Sequence, residues 1–189
     1  MPLGGIKADL VPLNMQIAWV GGVVYAPGTV YLYRTEDGGR NWSPVALELP
    51  AGAENSELSI EEDHIRFVSA NDGFLVLRMS GEATQTAIYT TNDEGNTWTL
   101  SPTLIPEAGM TDFLSAEEMI IYNGEQLYVT RDAAKTWTTV SPDIVFGDSF
   151  VTMDFVNPTS GWIVTLDPSQ NRSLYRTNDG GTTWLPVAP

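Results

Sequence analysis

The side chains of this chain that could do chemistry are mostly carboxylates. Asp and Glu number 24 against nine Lys and Arg, the net charge is −15, and there is one histidine, His64, and no cysteine. The missing cysteines remove disulfides, thiolate nucleophiles and Cys-ligated zinc together, and a single imidazole removes every motif that needs two. Nucleic acid is an unsuitable partner for so acidic a surface. A hydrolase built on acids would need two carboxyl groups from loops facing one cleft, about 5 to 9.5 Å apart.

The densest acids are Glu54, Glu57, Glu61, Glu62 and Asp63, within Ala51 to Asp63, a stretch without Lys or Arg. They form either an anionic lip for a basic partner or a solvated loop that keeps the protein soluble. A calcium loop is not indicated, because no Asp-x-Asp-x-Asp-Gly run is present, so no metal and no cofactor are expected. His64 follows that loop directly, and no Gly-x-Ser-x-Gly elbow accompanies it to suggest a general base. A second candidate group is Asp143, Phe146 and Asp148, with Phe150 beside it and Tyr25 on an earlier loop. Exposed aromatics beside acids suit carbohydrate or peptide contact. Trp19, Phe74 and Trp162 could stack a sugar, but they sit in apolar runs and are read as core.

What must position these groups is a segment written four times: Tyr33 to Trp42, Tyr89 to Trp98, Tyr128 to Trp137 and Tyr175 to Trp184. Each copy reads Tyr-x-Thr-x-Asp-x-x-x-x-Trp. The Trp-to-Trp steps (98 − 42, 137 − 98, 184 − 137) are 56, 39 and 47 residues, within or close to the roughly 40 to 50 residues of known propeller blades. In each copy an apolar, β-favouring approach meets a turn rich in Asp, Asn and Gly, and Thr-Trp or Asn-Trp resumes extension. The Asp accepts backbone N–H bonds across the turn, Gly supplies positive φ, and the Trp buries its ring while its N–H finds a partner. The four aspartates, Asp37, Asp93, Asp132 and Asp179, are therefore turn locks rather than catalytic acids. Ala133 and Ala134 replace the glycine-bearing pair in the third copy, whose turn is expected to be tighter or strained.

Upstream of each hairpin lie apolar second strands around Trp19, Phe74, Ile120 and Trp162, and shorter first strands before them. The expected fold is all-β, a β-propeller of four-stranded antiparallel blades at approximately 8–47, 64–100, 110–140 and 150–187, forming one domain over 1–189. Four blades are few for such a ring. The chain is a compact four-bladed ring, half of a dimeric ring, or a piece of a larger propeller lacking additional blades.

At these residues the sequence resembles the Asp-box (BNR) repeat family, whose motif is Ser/Thr-x-Asp-x-Gly-x-Thr-Trp. Thr35, Asp37, Gly39 and Trp42 match it, as do Thr91, Asp93, Gly95 and Trp98, then Thr130, Asp132 and Trp137, then Thr177, Asp179, Gly181 and Trp184. The pattern is most similar to photosystem II assembly-factor-like, sortilin-like and sialidase-like propellers. The resemblance implies two classes of function. One is a non-enzymatic binding or assembly module with a protein or carbohydrate partner; the other is a glycoside hydrolase or its remnant. Sialidases of this family carry an Arg-Ile-Pro segment and a converging arginine triad. Arg-Ile-Pro is absent here, and Arg34, Arg40, Arg131 and Arg176 lie in or beside the boxes. No run is apolar enough to span a membrane, and a Lys-poor, Thr/Asn/Gly-rich composition points outside the cytoplasm, with a leader absent from this sequence.

Overall fold

Each apolar run becomes a strand, and each Asp-containing turn reverses the chain into the next. The computed structural model describes residues 4–107 and 109–188, and among them the only helical segments are two single 3-10 turns, Ala53–Asn55 and Gly147–Ser149. None is long and apolar enough to cross a membrane. The fold divides into two compact units, Met1–Ala108 and Gly109–Pro189.

The first unit holds two antiparallel meanders. One comprises β1 (Ile6–Pro12), β2 (Ala18–Val23), β3 (Tyr31–Thr35) and β4 (Ser43–Pro44). An inserted strand, β5 (Glu57–Ser59), precedes the other, which comprises β6 (Ile65–Phe67), β7 (Gly73–Ser80), β8 (Thr84–Thr91) and β9 (Thr99–Leu100). A short β10 (Ile105–Pro106) adds to β8. β5 pairs with β2 at Val23 and with β7 at Arg78 to Ser80, joining the two meanders into one sheet.

The second unit repeats the plan. β11 (Met110–Phe113), β12 (Met119–Tyr122), β13 (Leu127–Thr130) and β14 (Thr138–Val140) form one four-stranded sheet. β15 (Phe150–Asn157), β16 (Ser160–Leu166), β17 (Arg172–Thr177) and β18 (Leu185–Pro186) form the other.

Each unit has its own apolar core. Trp19, Leu32, Leu58, Ile60, Ile65, Leu75 and Tyr89 are buried together in the first. Ile120, Leu127, Phe146, Phe155, Ile163 and Trp184 are buried together in the second. Full burial of side chains this size stabilises by roughly 1.5–3 kcal/mol each. Carboxylates also tie the first strands of successive meanders. Asp9 of β1 accepts the Ile65 N–H of β6 at 2.8 Å, and Asp112 of β11 accepts the Phe155 N–H of β15 at 2.5 Å.

Two expectations need correcting here. The acidic stretch Ala51 to Asp63 is not a free loop, because Ala53, Leu58 and Ile60 are fully buried in the first core and β5 is paired on both sides. The alternation Leu58-Ser59-Ile60 is a strand period that its acidic neighbours obscure. Trp162 is not core. It is 38% exposed, although its counterpart Trp19 is fully buried.

Candidate functional site

The four Thr–Asp turns share one hydrogen-bond scheme. The Thr Oγ1 of Thr35, Thr91, Thr130 and Thr177 donates to Oδ1 of the Asp two residues on, at 2.8–3.0 Å. It also accepts the N–H of Gly39, Gly95, Ala134 and Gly181, respectively, at 2.9–3.0 Å. Each Asp Oδ1 accepts the N–H of the residue four beyond it, Asn41, Thr97, Thr136 or Thr183, at 2.8–2.9 Å. Each Oδ2 accepts that residue's side chain at 2.6–2.7 Å. Asn41 thus reproduces with its amide what threonine does with its hydroxyl.

Hydrogen bonds to a carboxylate favour its charged form. The Asn41 backbone N–H above all holds Asp37 down to about 2. The Thr97 N–H lowers Asp93, and the side chains of Thr136 and Thr183 lower Asp132 and Asp179. Each of these carboxylates has both oxygens engaged by its own turn, which it locks.

The turns also require two consecutive residues at positive φ. Gly38–Gly39, Glu94–Gly95, Ala133–Ala134 and Gly180–Gly181 supply them, and the two alanines sit at φ 56 and 61. The third turn therefore keeps the geometry of the others and carries left-handed strain instead of tightening. Trp42 and Trp184 donate their indole N–H to the carbonyls of Gly39 and Gly181 at 3.1 and 3.0 Å. Trp98 departs from the expected pattern, since its Nε1 is buried without a partner while its ring meets Trp19 edge-on at 5.7 Å.

The acidic lip is presented as charge on a rigid support. Glu54, Glu57, Glu62 and Asp63 are exposed, while Glu61 is half-buried and accepts the Arg78 guanidinium at 2.7 Å. Beside the lip lies a polar cleft of about 500 Å³ lined by Gly52, Asn55, Ser56, Gly81, Glu82 and Gln85, among others. Glu82, in the β7–β8 turn, and Gln85, on β8, were not among the residues singled out from the sequence. His64 is buried. Its Nδ1 accepts the Glu61 N–H at 3.2 Å, and burial pushes its pKa down, so it is a neutral structural acceptor.

The second candidate group separates. Phe146 is buried against Tyr122, Tyr175 and Trp184 and offers no ring to a ligand. Asp143 accepts the Trp184 N–H at 3.0 Å and so pins the fourth turn. Asp148 and Tyr25 are exposed.

A larger cleft of about 620 Å³ is lined by Arg34, Glu36, Asp37, Asn41, Ser43 and Asn96, among others. Its two acids are committed, Asp37 to its turn and Glu36 to an ion pair with Arg34. Among the described residues no group of three His, Asp or Glu side chains is placed to hold a metal ion.

No family model matches the chain, and no curated protein matches it either. Solved structures do. YCF48 bound to a D1 peptide superposes with a TM-score of 0.51 at 16% identity, over 98% of this chain and 82% of that one. The GH74 enzyme of Niastella koreensis gives 0.55 at 16%, and the GH74 xyloglucanase of Xanthomonas campestris 0.55 at 18%. They match over 95% and 98% of this chain but only 29% and 30% of theirs, so it spans under a third of those enzymes. The chain has a β-propeller fold. At these identities the likeness reaches the fold and stops there. A peptide-bound protein and glycoside hydrolases both stand among this propeller's structural neighbours.

Proposed function

We propose that this chain is a non-enzymatic binding or assembly module: a propeller of four-stranded blades, each closed by an Asp-box turn, that presents an acidic face to a protein partner. The observation that carries this reading is the state of the carboxylates. The repeated acids are consumed by their own turns, and the large cleft holds only committed acids. The cleft beside the lip is lined by one carboxylate, Glu82. Acid–base cleavage of a glycoside needs two free ones facing each other. Glu54 and Glu57 stand exposed on either side of Asn55 and Ser56, which line that cleft, and Glu62 is exposed beyond β5, on backbone anchored by Leu58 and Ile60. A fixed row of negative charge next to a polar cleft suits a segment bearing Lys or Arg. YCF48 with its bound D1 peptide supports a peptide in that role.

The test is fluorescence anisotropy with labelled peptides of alternating Lys and Ser, across a salt series. The triple change Glu54→Gln, Glu57→Gln, Glu62→Gln is compared with Glu117→Gln, Glu125→Gln, Asp154→Asn, three exposed acids of the second unit that remove the same charge elsewhere. A loss of tenfold or more for the first set alone supports the acidic face. Equal losses reduce the effect to net charge and overturn it. Release of reducing ends from xyloglucan oligosaccharides would overturn the non-enzymatic reading.

A further inference from the structure

Two of the four meanders place an arginine directly across from a tryptophan. Trp19 of β2 pairs with Arg34 of β3, and Trp162 of β16 pairs with Arg176 of β17; the second and third meanders have Phe74 with Thr90 and Ile120 with Val129 at the same register. In the first meander this pair is satisfied. The Arg34 guanidinium lies 5.3 Å from the Trp19 ring centre and its charge is taken by Glu36, two residues on in the same turn. The rings of Phe67 and Trp98 cover the indole, which is fully buried.

The fourth meander keeps the pair and lacks both partners. Asn178 stands where the first turn has Glu36, so the acid is gone. Arg176 is exposed, as is Arg172 on the same strand, and among the described residues neither makes an ion pair. Asp154 of β15 lies opposite Trp162, one strand further from Arg176, and is not paired with it. Around the arginines the face is apolar. Cross-strand pairs Val164 with Leu174 and Leu166 with Arg172 continue it, Leu185 of β18 stands opposite Arg176, and Trp162, Leu174 and Leu185 are all exposed. Arg172, Leu174 and Arg176 alternate along β17 on one side of the sheet, which sets the two cationic positions about 13 Å apart with the leucine between them.

We propose that the β16–β17 face docks an extended acidic segment of a partner protein, its carboxylates on Arg176 and Arg172 and an aromatic side chain between them on Trp162 and Leu174. The first meander shows what such a pair accepts. The incoming carboxylate takes the place that Glu36 has beside Arg34, and the incoming ring takes the place that Phe67 and Trp98 have over Trp19. An extended segment presents every second side chain to one face, so acid-x-aromatic-x-acid matches the spacing of Arg172, Leu174 and Arg176. Tryptophan and arginine are the side chains that most often carry interface energy, and a carboxylate meets a guanidinium through two parallel hydrogen bonds. Charge decides the class of partner, because two uncompensated arginines flank the apolar strip of a chain that has only nine Lys and Arg. The site belongs to the second unit and takes the opposite charge from the acidic face of the first, so it does not rest on that reading.

Fluorescence anisotropy of the full chain with the labelled peptide Glu-Ser-Phe-Ser-Glu tests this. The peptides Gln-Ser-Phe-Ser-Gln and Glu-Ser-Ala-Ser-Glu should each bind at least tenfold more weakly. On the protein, Arg176→Gln should weaken binding tenfold. Asn178→Glu should do the same by giving Arg176 in its own turn the acid that Arg34 has, whereas Asn178→Gln should leave binding unchanged. Thr138→Glu adds the same charge at an exposed position of β14 and should also leave it unchanged. Should Arg176→Gln lose its fold by circular dichroism, Asn178→Glu still decides, since the first turn carries glutamate at that position. No saturation by about 1 mM peptide, or an equal loss with Thr138→Glu, overturns the proposal. So does tighter binding of phosphatidylserine vesicles that Asn178→Glu abolishes, which would assign the face to lipid, or a two-chain mass in light scattering that Asn178→Glu abolishes, which would assign it to self-association.

Discussion

Gly95 of the second turn lies against Trp19 of β2 so closely that a Cβ on it would stand 2.4 Å from the indole Cζ2. Trp19 has nowhere to move, since Phe67 and Trp98 stack on it and Arg34 lies 5.3 Å from its ring centre. Ala134 shows that alanine is tolerated at the equivalent backbone position. Gly95→Ala therefore costs more than left-handed strain. The clash adds roughly 1–3 kcal/mol to about 1 kcal/mol or more of backbone strain. Denaturant unfolding should show a loss of about 2–4 kcal/mol, with altered Trp fluorescence.

The third turn makes the opposite prediction. Ala133 holds φ 56 without glycine's freedom, and it is only half-buried. Relief of left-handed strain, worth roughly 1–2 kcal/mol, outweighs the entropy that glycine adds to the unfolded chain. Ala133→Gly should raise stability by about 0.5–1 kcal/mol in thermal or urea unfolding. Ala134→Gly should gain less, because Ala134 is fully buried and loses packing. A loss for Ala133→Gly would remove strain as the account of this turn.

The turns and strands were legible because one local rule repeats. Thr, Asp and Trp at fixed offsets imply a side-chain-locked hairpin, and the hydrogen bonds realise it in all four copies. The inserted β5 was not legible, since its two-residue apolar alternation sits among acids whose charge suggests solvent. Trp162 was misread for a different reason. Its sequence surroundings match those of Trp19, and what separates the two is a long-range contact, the Phe67 and Trp98 rings that cover the Trp19 indole. Glu82 and Gln85 could not be found, because their place beside the lip depends on β5 pairing with β7.

Acid should melt the fold by way of the turns. Asp37, Asp93, Asp132 and Asp179 titrate below the ordinary aspartate value of 3.8 when folded. A depressed folded pKa contributes stability that is present above the unfolded value and lost as pH falls through the folded one. The unfolding midpoint in urea should therefore fall between about pH 4 and pH 2. Asp179→Asn should flatten that limb, since an amide takes up no proton in this range and the site no longer contributes to the pH dependence. An unchanged slope would show that the locks do not control acid stability.

Asp9 has the reverse sign. Burial raises its pKa above 3.8 and outweighs the hydrogen bond from the Ile65 N–H. A carboxyl group with a raised folded pKa stabilises most below the unfolded value and costs stability as pH rises through the folded value. The same group is needed as an acceptor, because an unsatisfied buried N–H costs about 1–3 kcal/mol. The two roles separate by substitution. Asp9→Asn keeps an acceptor for Ile65 and removes the buried charge, so it should be neutral or stabilising at pH 7 and lose that advantage near pH 3. Asp9→Ala removes the acceptor and should destabilise at both pH values. Equal destabilisation by Asn and Ala at pH 7 would show that the charge itself, not the acceptor, joins β1 to β6.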